Sequence, residues 1–347
     1  MSVVSIASKI TTTVEEAKTI LHEMISVLGQ SYSAGLFFWG PPGIGKSALV
    51  RQVGEELNVP VIDIRLSLLD PVDLRGLPVI DPEEKQAQWL PPAFLPKKGN
   101  PSGILFLDEI NVAPPTIQAS AYQLILDRRV GEYELPEGWV VVAAGNRETD
   151  RAVVYKMPSP LANRFIHLEI RPDLDTWKQW AYENNISSQV IGFLNFRPDL
   201  LFLFDPKKNP RSYPTPRSWE FVSQALQVMK SNLAPVVIGA IGEAAGTEFL
   251  AFIEMSDKVP DAENILEGKS SSVPKQHSVL YALVGALVAR LKANPTEDRI
   301  GNLIKYALKI HAEFSVLLIK DALTVCPELA SHPNFSKWTA KHKSVLL

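Results

Sequence analysis

Through its first 150 residues the chain alternates short β-branched or apolar runs with amphipathic stretches, the pattern of a parallel sheet covered by helices. Five runs read as strands: Leu36 to Trp39, Val61 to Leu66, Ile104 to Leu107, Trp139 to Ala144 and Ile166 to Ile170. Thr13 followed by Glu16 spells a capping box and predicts a helix running towards Leu28. A second helix is expected to start at Gly45 and end near Leu57. Two segments interrupt the rhythm: Asp70 to Pro96, rich in Pro, Asp and Gly, and Arg129 to Gly138, which reads as a hairpin. Both fall between strands, where specialised loops are carried.

Beyond Ile170 the spacing becomes helical. Trp219 to Met229 and Pro235 to Phe252 read as amphipathic helices, with the Pro-rich loop Asp205 to Pro216 before them. Asp257 to Pro274 reads as a linker, and apolar residues resume helical spacing over Ser278 to Val325. The expected organisation is an α/β core over 1–170 with inserts at 70–96 and 129–138, an all-α region over 171–256, and a linker with helical C-terminal extension over 257–347.

The length of 347 residues suits two or three domains, and 46% hydrophobic with 21% charged residues is the composition of a globular protein. Lys+Arg of 35 against Asp+Glu of 38 leaves a net charge of -3, so no global basic field points to nucleic acid or a membrane surface. A single cysteine, Cys326, excludes an intramolecular disulfide framework. The first residues lack a basic-then-apolar secretory pattern, and no apolar run approaches the roughly 20 residues of a bilayer span. A cytoplasmic protein is expected, with recruitment to a membrane by a partner left open. The six histidines show no paired ligand spacing, which argues against a structural metal. Trp177 and Trp180, three apart, are expected to pack a helix against the core.

Gly40-Pro41-Pro42-Gly43-Ile44-Gly45-Lys46-Ser47 fits G-x-x-x-x-G-K-[ST], between an apolar strand and a helix-forming run. In that context the glycines let backbone N–H groups turn around a phosphate, Lys46 reaches the outer phosphates, and Ser47 ligates Mg²⁺. With Ala48 included, residues 40–48 are the candidate nucleotide-binding set. Ile104-Leu105-Phe106-Leu107-Asp108-Glu109 is an apolar strand delivering two carboxylates to the same sheet edge. Asp108 is placed to hold Mg²⁺ and Glu109 to orient and deprotonate an attacking water. A strand ending in Asp-Glu is common and often only solvated; the phosphate loop upstream gives this one its chemistry.

GPPGIGKS and ILFLDEIN together resemble the Walker A and Walker B motifs of AAA+ ATPases. The continuation DEINVAPPTIQASAYQLILDRRVGEYELPEGWVVVAAGNRE resembles the MoxR-like branch, and the likeness covers roughly residues 5 to 255. It implies a P-loop NTPase core with a five-stranded parallel sheet, and the all-α region then corresponds to a lid, with ATP between the two. Asn146 matches the family's sensor 1, Arg164 in LANRF its arginine finger, and Arg217 in TPRS its sensor 2. The finger acts on a neighbouring subunit's nucleotide, which implies a ring, expected to be a hexamer. Many relatives carry Arg where this chain has Val112, so that role is absent or moved to Arg128 or Arg129. Asp70 to Pro78 with Trp89-Leu90-Pro91-Pro92 resembles a subset often found beside proteins with a von Willebrand factor A domain, a candidate partner.

The expected function is an ATP-hydrolysing ring that remodels or assembles a protein client, with Glu109, Asn146, Arg164 and Arg217 as catalytic residues. Two alternatives stand beside it: a nucleotide-gated scaffold with slow hydrolysis, and a nucleic-acid motor or GTPase of a neighbouring branch. The acidic balance weighs against nucleic acid. A small-molecule kinase has no reason to carry Asn146, Arg164 and Arg217 in this order.

Overall fold

The computed structural model describes residues 11–28, 34–83, 86–97, 99, 102–150, 155–205 and 211–346. The chain divides into two compact units, Met1–Asp173 and Leu174–Leu347. In chain order the first contains β1 (Thr11–Thr12), α1 (Val14–Leu28), β2 (Gly35–Trp39), α2 (Lys46–Glu56), β3 (Val61–Arg65), α3 (Pro71–Arg75), β4 (Leu77–Asp81), β5 (Gln86–Leu90), β6 (Gly103–Asp108), α4 (Pro115–Asp127), β7 (Arg129–Val130), β8 (Tyr133–Glu134), β9 (Trp139–Gly145), α5 (Ser159–Ala162) and β10 (Phe165–Ile170).

Its centre is a parallel six-stranded sheet in the order β1-β10-β2-β9-β6-β3. The five expected strands form the parallel sheet of an α/β core, and the sixth, β1, extends the five-stranded expectation at one edge through Thr11 opposite Glu169 and Thr12 opposite Ile170. Two residues are too few to leave a periodicity. Phe37, Phe38, Leu105, Leu107 and Val142 are fully buried, as strands covered on both faces require. The capping box forms as the spacing predicts: Glu16 N–H donates to Thr13 Oγ1 at 3.1 Å, and Thr13 N–H to Glu16 Oε2 at 2.7 Å.

The first insert folds as α3 followed by an antiparallel hairpin, with Leu77 opposite Leu90 and Asp81 opposite Gln86. A hairpin had no alternation to announce it, because Pro78 and Pro82 break the run. Leu77 and Ile80 are 65% and 77% exposed, so its apolar side chains face outward. Gly76 at its root (φ 86°) admits no side chain, since a Cβ there would lie 1.9 Å from the Leu90 carbonyl oxygen. The second insert is the small hairpin β7–β8, with Val130 opposite Tyr133.

The second unit is helical: α6 (Leu174–Glu183), α7 (Ser188–Phe196), α8 (Pro216–Val228), α9 (Leu233–Ile241), α10 (Glu243–Glu254), α11 (Ala262–Leu266), α12 (His277–Ala293), α13 (Glu297–Ala307), α14 (Ala312–Val325) and α15 (Pro333–Leu346). The single helix expected over Pro235 to Phe252 is two, because Gly242 takes φ 86° and ψ 161° between them. The expected linker contains α11, whose Ile265 and Leu266 are buried. One hydrophobic cluster runs from Trp177 to Trp338 and takes in residues on both sides of position 257, so the helices after it share a core with those before. Trp177 is buried in that cluster and Trp180 packs against it. No helix among the described residues is long and apolar enough to cross a membrane.

Candidate active site

Parallel register brings the motifs together. Trp39 on β2 lies opposite Gly145 on β9, and Leu107 on β6 opposite Ala143, so Gly40, Asp108 and Asn146 leave the same sheet edge side by side. The Gly40 amide donates to the Gly145 carbonyl at 3.2 Å. Gly43 and Gly45 take φ of 83° and 102°, the left-handed region that glycine enters without strain. Nothing lies within 4 Å of where a Gly45 Cβ would be, so its φ and not crowding is what calls for glycine there. Lys46, Ser47 and Ala48 form the first turn of α2, whose N–H groups lack intrahelical acceptors and suit an anion. Lys46 is buried, and its Nζ donates to the carbonyls of Gly40 at 2.5 Å and Pro41 at 3.0 Å and to Asn146 Oδ1 at 3.3 Å.

Ser47 Oγ donates to Asp108 Oδ2 at 2.8 Å, although the two residues are 61 positions apart. The other Asp108 oxygen accepts from the Glu109 amide at 2.9 Å. A hydroxyl and a single carboxylate are hard oxygen donors, and their separation is near the edge of an octahedron with bonds of about 2.1 Å, so the pair fits Mg²⁺. Among the described residues no group of three or more His, Cys, Asp and Glu gathers into a denser metal site. Asp63 on β3 stands near this carboxylate, and partial desolvation, then the Asp108 charge, raises its pKa from the ordinary Asp value.

Glu109 is exposed at φ 55°, beyond the end of β6, and accepts from Ser67 Oγ at 3.1 Å. Asn146 is buried and held by Asn111, whose Nδ2 donates to the Asn146 carbonyl at 2.7 Å while its Oδ1 accepts from the Asn146 amide at 3.2 Å. A side chain on Gly145 would meet Asn111 Oδ1 at 2.5 Å. Neither Ser67 nor Asn111 was foreseen; the nearest sequence signal for Asn111 is its place two residues after Glu109. Arg147 follows Asn146 and is bonded by both Asp150 and Glu169; the Asp150 bond is the larger cause raising its pKa.

Arg164 is exposed in the turn between α5 and β10, and its carbonyl accepts from the Gly35 amide at 3.0 Å. Arg128 points inward: one guanidinium nitrogen donates to the carbonyls of Pro136 and Trp139, each at 2.9 Å, and burial lowers its pKa. Arg129 is exposed and pairs with Glu134. Arg217 belongs to the second unit, exposed on the first turn of α8, behind a box in which Ser218 N–H donates to Thr215 Oγ1 at 3.0 Å. The structure thus brings together Lys46, Ser47, Asp108, Glu109 and Asn146 on the first unit's sheet edge, with Arg164 on that unit's surface.

The model of the AAA family, ATPase family associated with various cellular activities, matches residues 36–171. No curated protein matches the chain. Among solved structures, a RuvB variant from Thermotoga maritima aligns with 94% of this chain and 86% of its own, at 13% identity and a TM-score of 0.38. NtrX from Brucella abortus in complex with ATP aligns with 97% of this chain and 69% of its own, at 12% identity and a TM-score of 0.38.

Proposed function

We propose that this chain, whose residues 36–171 match the model of the AAA ATPase family, is a Mg²⁺-dependent ATPase of MoxR type that works as a ring, expected to be hexameric, and remodels or assembles a protein client. The observation that carries the reading is the 2.8 Å contact between Ser47 and Asp108 beside the buried Lys46–Asn146 pair: two distant motifs meet where phosphates and a cation have to be held.

Backbone N–H groups of residues 43–48 bind the phosphates, and Lys46 exchanges its carbonyl partners for phosphate oxygens. Ser47 and Asp108 are the residues that would hold Mg²⁺, which neutralises charge on the phosphates. Glu109 releases Ser67 and takes a proton from the attacking water, which Asn146 orients. Arg164, from the neighbouring subunit, stabilises the charge of the transferring phosphoryl group, and its planar fork suits that charge. Arg217 reports nucleotide state to the helical unit. The exposed apolar hairpin β4–β5 and its smaller companion β7–β8 supply surfaces for the client, for which a von Willebrand factor A domain protein is the candidate.

Native mass with and without ATP and Mg²⁺ tests the reading, with Glu109→Gln to suppress turnover and Arg164→Ala as the finger variant. The expected result is nucleotide-dependent assembly of rings and loss of hydrolysis in Arg164→Ala. A monomer under every condition that hydrolyses ATP without Arg164 overturns it.

A further inference from the structure

His167, on β10, is bonded at both ring nitrogens. The Trp39 indole Nε1–H donates to its Nδ1 at 2.8 Å, and its Nε2 lies 2.8 Å from the Ala162 carbonyl oxygen. An indole N–H can only donate and a carbonyl can only accept, so these partners assign the neutral ring with its proton on Nε2. Each partner adjoins a functional element. Trp39 is the last residue of β2, and Gly40, next in the chain, accepts from Lys46 and donates to Gly145. Ala162 ends α5, two residues before Arg164. The last carbonyls of a helix have no partner within it, and His167 supplies one here.

The bridge is stiffened by its neighbours. Phe37 and Trp39 on β2 and Phe165 and His167 on β10 form a cross-strand set: the Phe37 and Trp39 rings stack at 4.2 Å, the Trp39 and His167 rings at 5.9 Å, and Phe165 meets Phe37 edge-on at 5.4 Å. Gly35 makes room for this set, since a Cβ there would lie 2.6 Å from the Phe165 ring. The Arg164 carbonyl is also fixed to β2 through the Gly35 amide. The turn carrying Arg164 therefore has one attachment at the start of the phosphate-loop strand and another, through His167, at its end.

We infer that His167 is a positioning residue that couples the phosphate loop of a subunit to that subunit's own Arg164, so that nucleotide at one site sets the finger offered to the next. The inference rests on Arg164 acting in trans. Movement of Gly40 on phosphate binding reaches Trp39, then the imidazole, then the Ala162 carbonyl, through two hydrogen bonds and a stacked ring set with little slack. A purely structural histidine would brace the sheet without separating a subunit's own site from its neighbour's.

Mixed rings make that separation. His167→Ala should lower turnover by about tenfold to a hundredfold at saturating ATP, the scale of a misplaced catalytic group, while binding of a fluorescent ATP analogue stays within about twofold. Trp39→Phe, which keeps the ring and removes the N–H, should show the same split more mildly and remains informative if the alanine variant folds poorly. Mixing His167→Ala with Glu109→Gln subunits, which hold ATP and present an intact finger, should restore turnover at the His167→Ala sites, as mixing should for Arg164→Ala. Restoration for Arg164→Ala but not for His167→Ala means that His167 serves its own site and overturns the coupling. Wild-type turnover in both His167→Ala and Trp39→Phe also overturns it, leaving the trans finger intact. Normal hydrolysis by Arg164→Ala, or a loss that no neighbour restores, removes the finger reading itself and the inference with it.

Discussion

Asn111 grips the backbone of Asn146 at two points, donating to its carbonyl at 2.7 Å and accepting from its amide at 3.2 Å. The clamp joins the turn after Glu109 to the end of β9, and both residues are buried. Asn111→Ala removes both bonds and strands a buried amide and carbonyl, which should cost about 2–4 kcal/mol of stability. Turnover at saturating ATP should fall by about tenfold or more, because Asn146 loses its fixed position. Asn111→Asp keeps the acceptor and should fall between. Chemical denaturation and steady-state hydrolysis on the same preparations check this; wild-type turnover in a destabilised Asn111→Ala would separate the clamp from catalysis.

Asp63 should make stability depend on pH. Burial, then the Asp108 charge, raises its pKa, and these outweigh the lowering effects of Arg51 and Arg65. A carboxyl whose folded pKa lies above that of the unfolded chain contributes stability below about pH 4, and the contribution is lost as pH rises through the folded value. At neutral pH the ionised Asp63 therefore opposes folding. Asp63→Asn should raise stability at pH 7 by less than about 1 kcal/mol after solvent screening, and in thermal unfolding the gap should close towards pH 4. A difference that is constant with pH would place its cause elsewhere.

How far the chain could be read depended on what leaves a pattern. Apolar runs announced the five central strands, and Thr13 with Glu16 announced α1. The glycine-rich turn and the Asp108-Glu109 strand end were legible as motifs of fixed residues at fixed spacing, and parallel register joins them at one sheet edge. The two-residue β1 left no periodicity. Gly242 passed for a tolerated helix residue, since its φ of 86° is not visible in composition. Ser67, Asn111 and His167 were missed for one reason: a side chain that braces a neighbour acts through a contact set by the fold, and its sequence neighbours carry no trace of it.

Arg128 and Arg129 should behave oppositely despite being adjacent. Arg128 sits at φ 55° and ties the base of the β7–β8 hairpin through the carbonyls of Pro136 and Trp139. Its guanidinium is committed within its own subunit, which leaves it poorly placed to reach another. Arg128→Ala should destabilise by about 1–3 kcal/mol, as expected when buried carbonyls lose a charged donor. Arg129→Ala removes an exposed ion pair with Glu134 and should change stability by less than about 0.5 kcal/mol. Thermal unfolding distinguishes the two, and a ring-specific loss of hydrolysis in Arg129→Ala without loss of stability would assign that arginine a role in trans.

In the second unit, Lys178 on α6 and Asp321 on α14 form an ion pair at 2.7 Å with side chains only 5% and 2% exposed. Asp321 also accepts from the Tyr182 hydroxyl at 2.9 Å and from Asn195 Nδ2 at 3.2 Å, so one carboxylate gathers α6, α7 and α14. Desolvation makes such a pair a weak source of net stability, yet removing Asp321 leaves the buried Lys178 ammonium only the exposed Asp175 carboxylate at 3.5 Å. Asp321→Ala should therefore cost about 3–5 kcal/mol, and the double variant Lys178→Met with Asp321→Leu should recover part of that loss. Because the pair joins helices on both sides of position 257, the loss should appear as one cooperative shift of every helix from α6 to α15, followed by tryptophan fluorescence and by circular dichroism. An early transition confined to the C-terminal helices would show that they fold apart from α6 and α7; coincident transitions at a lower denaturant midpoint would show that Asp321 holds a single body together.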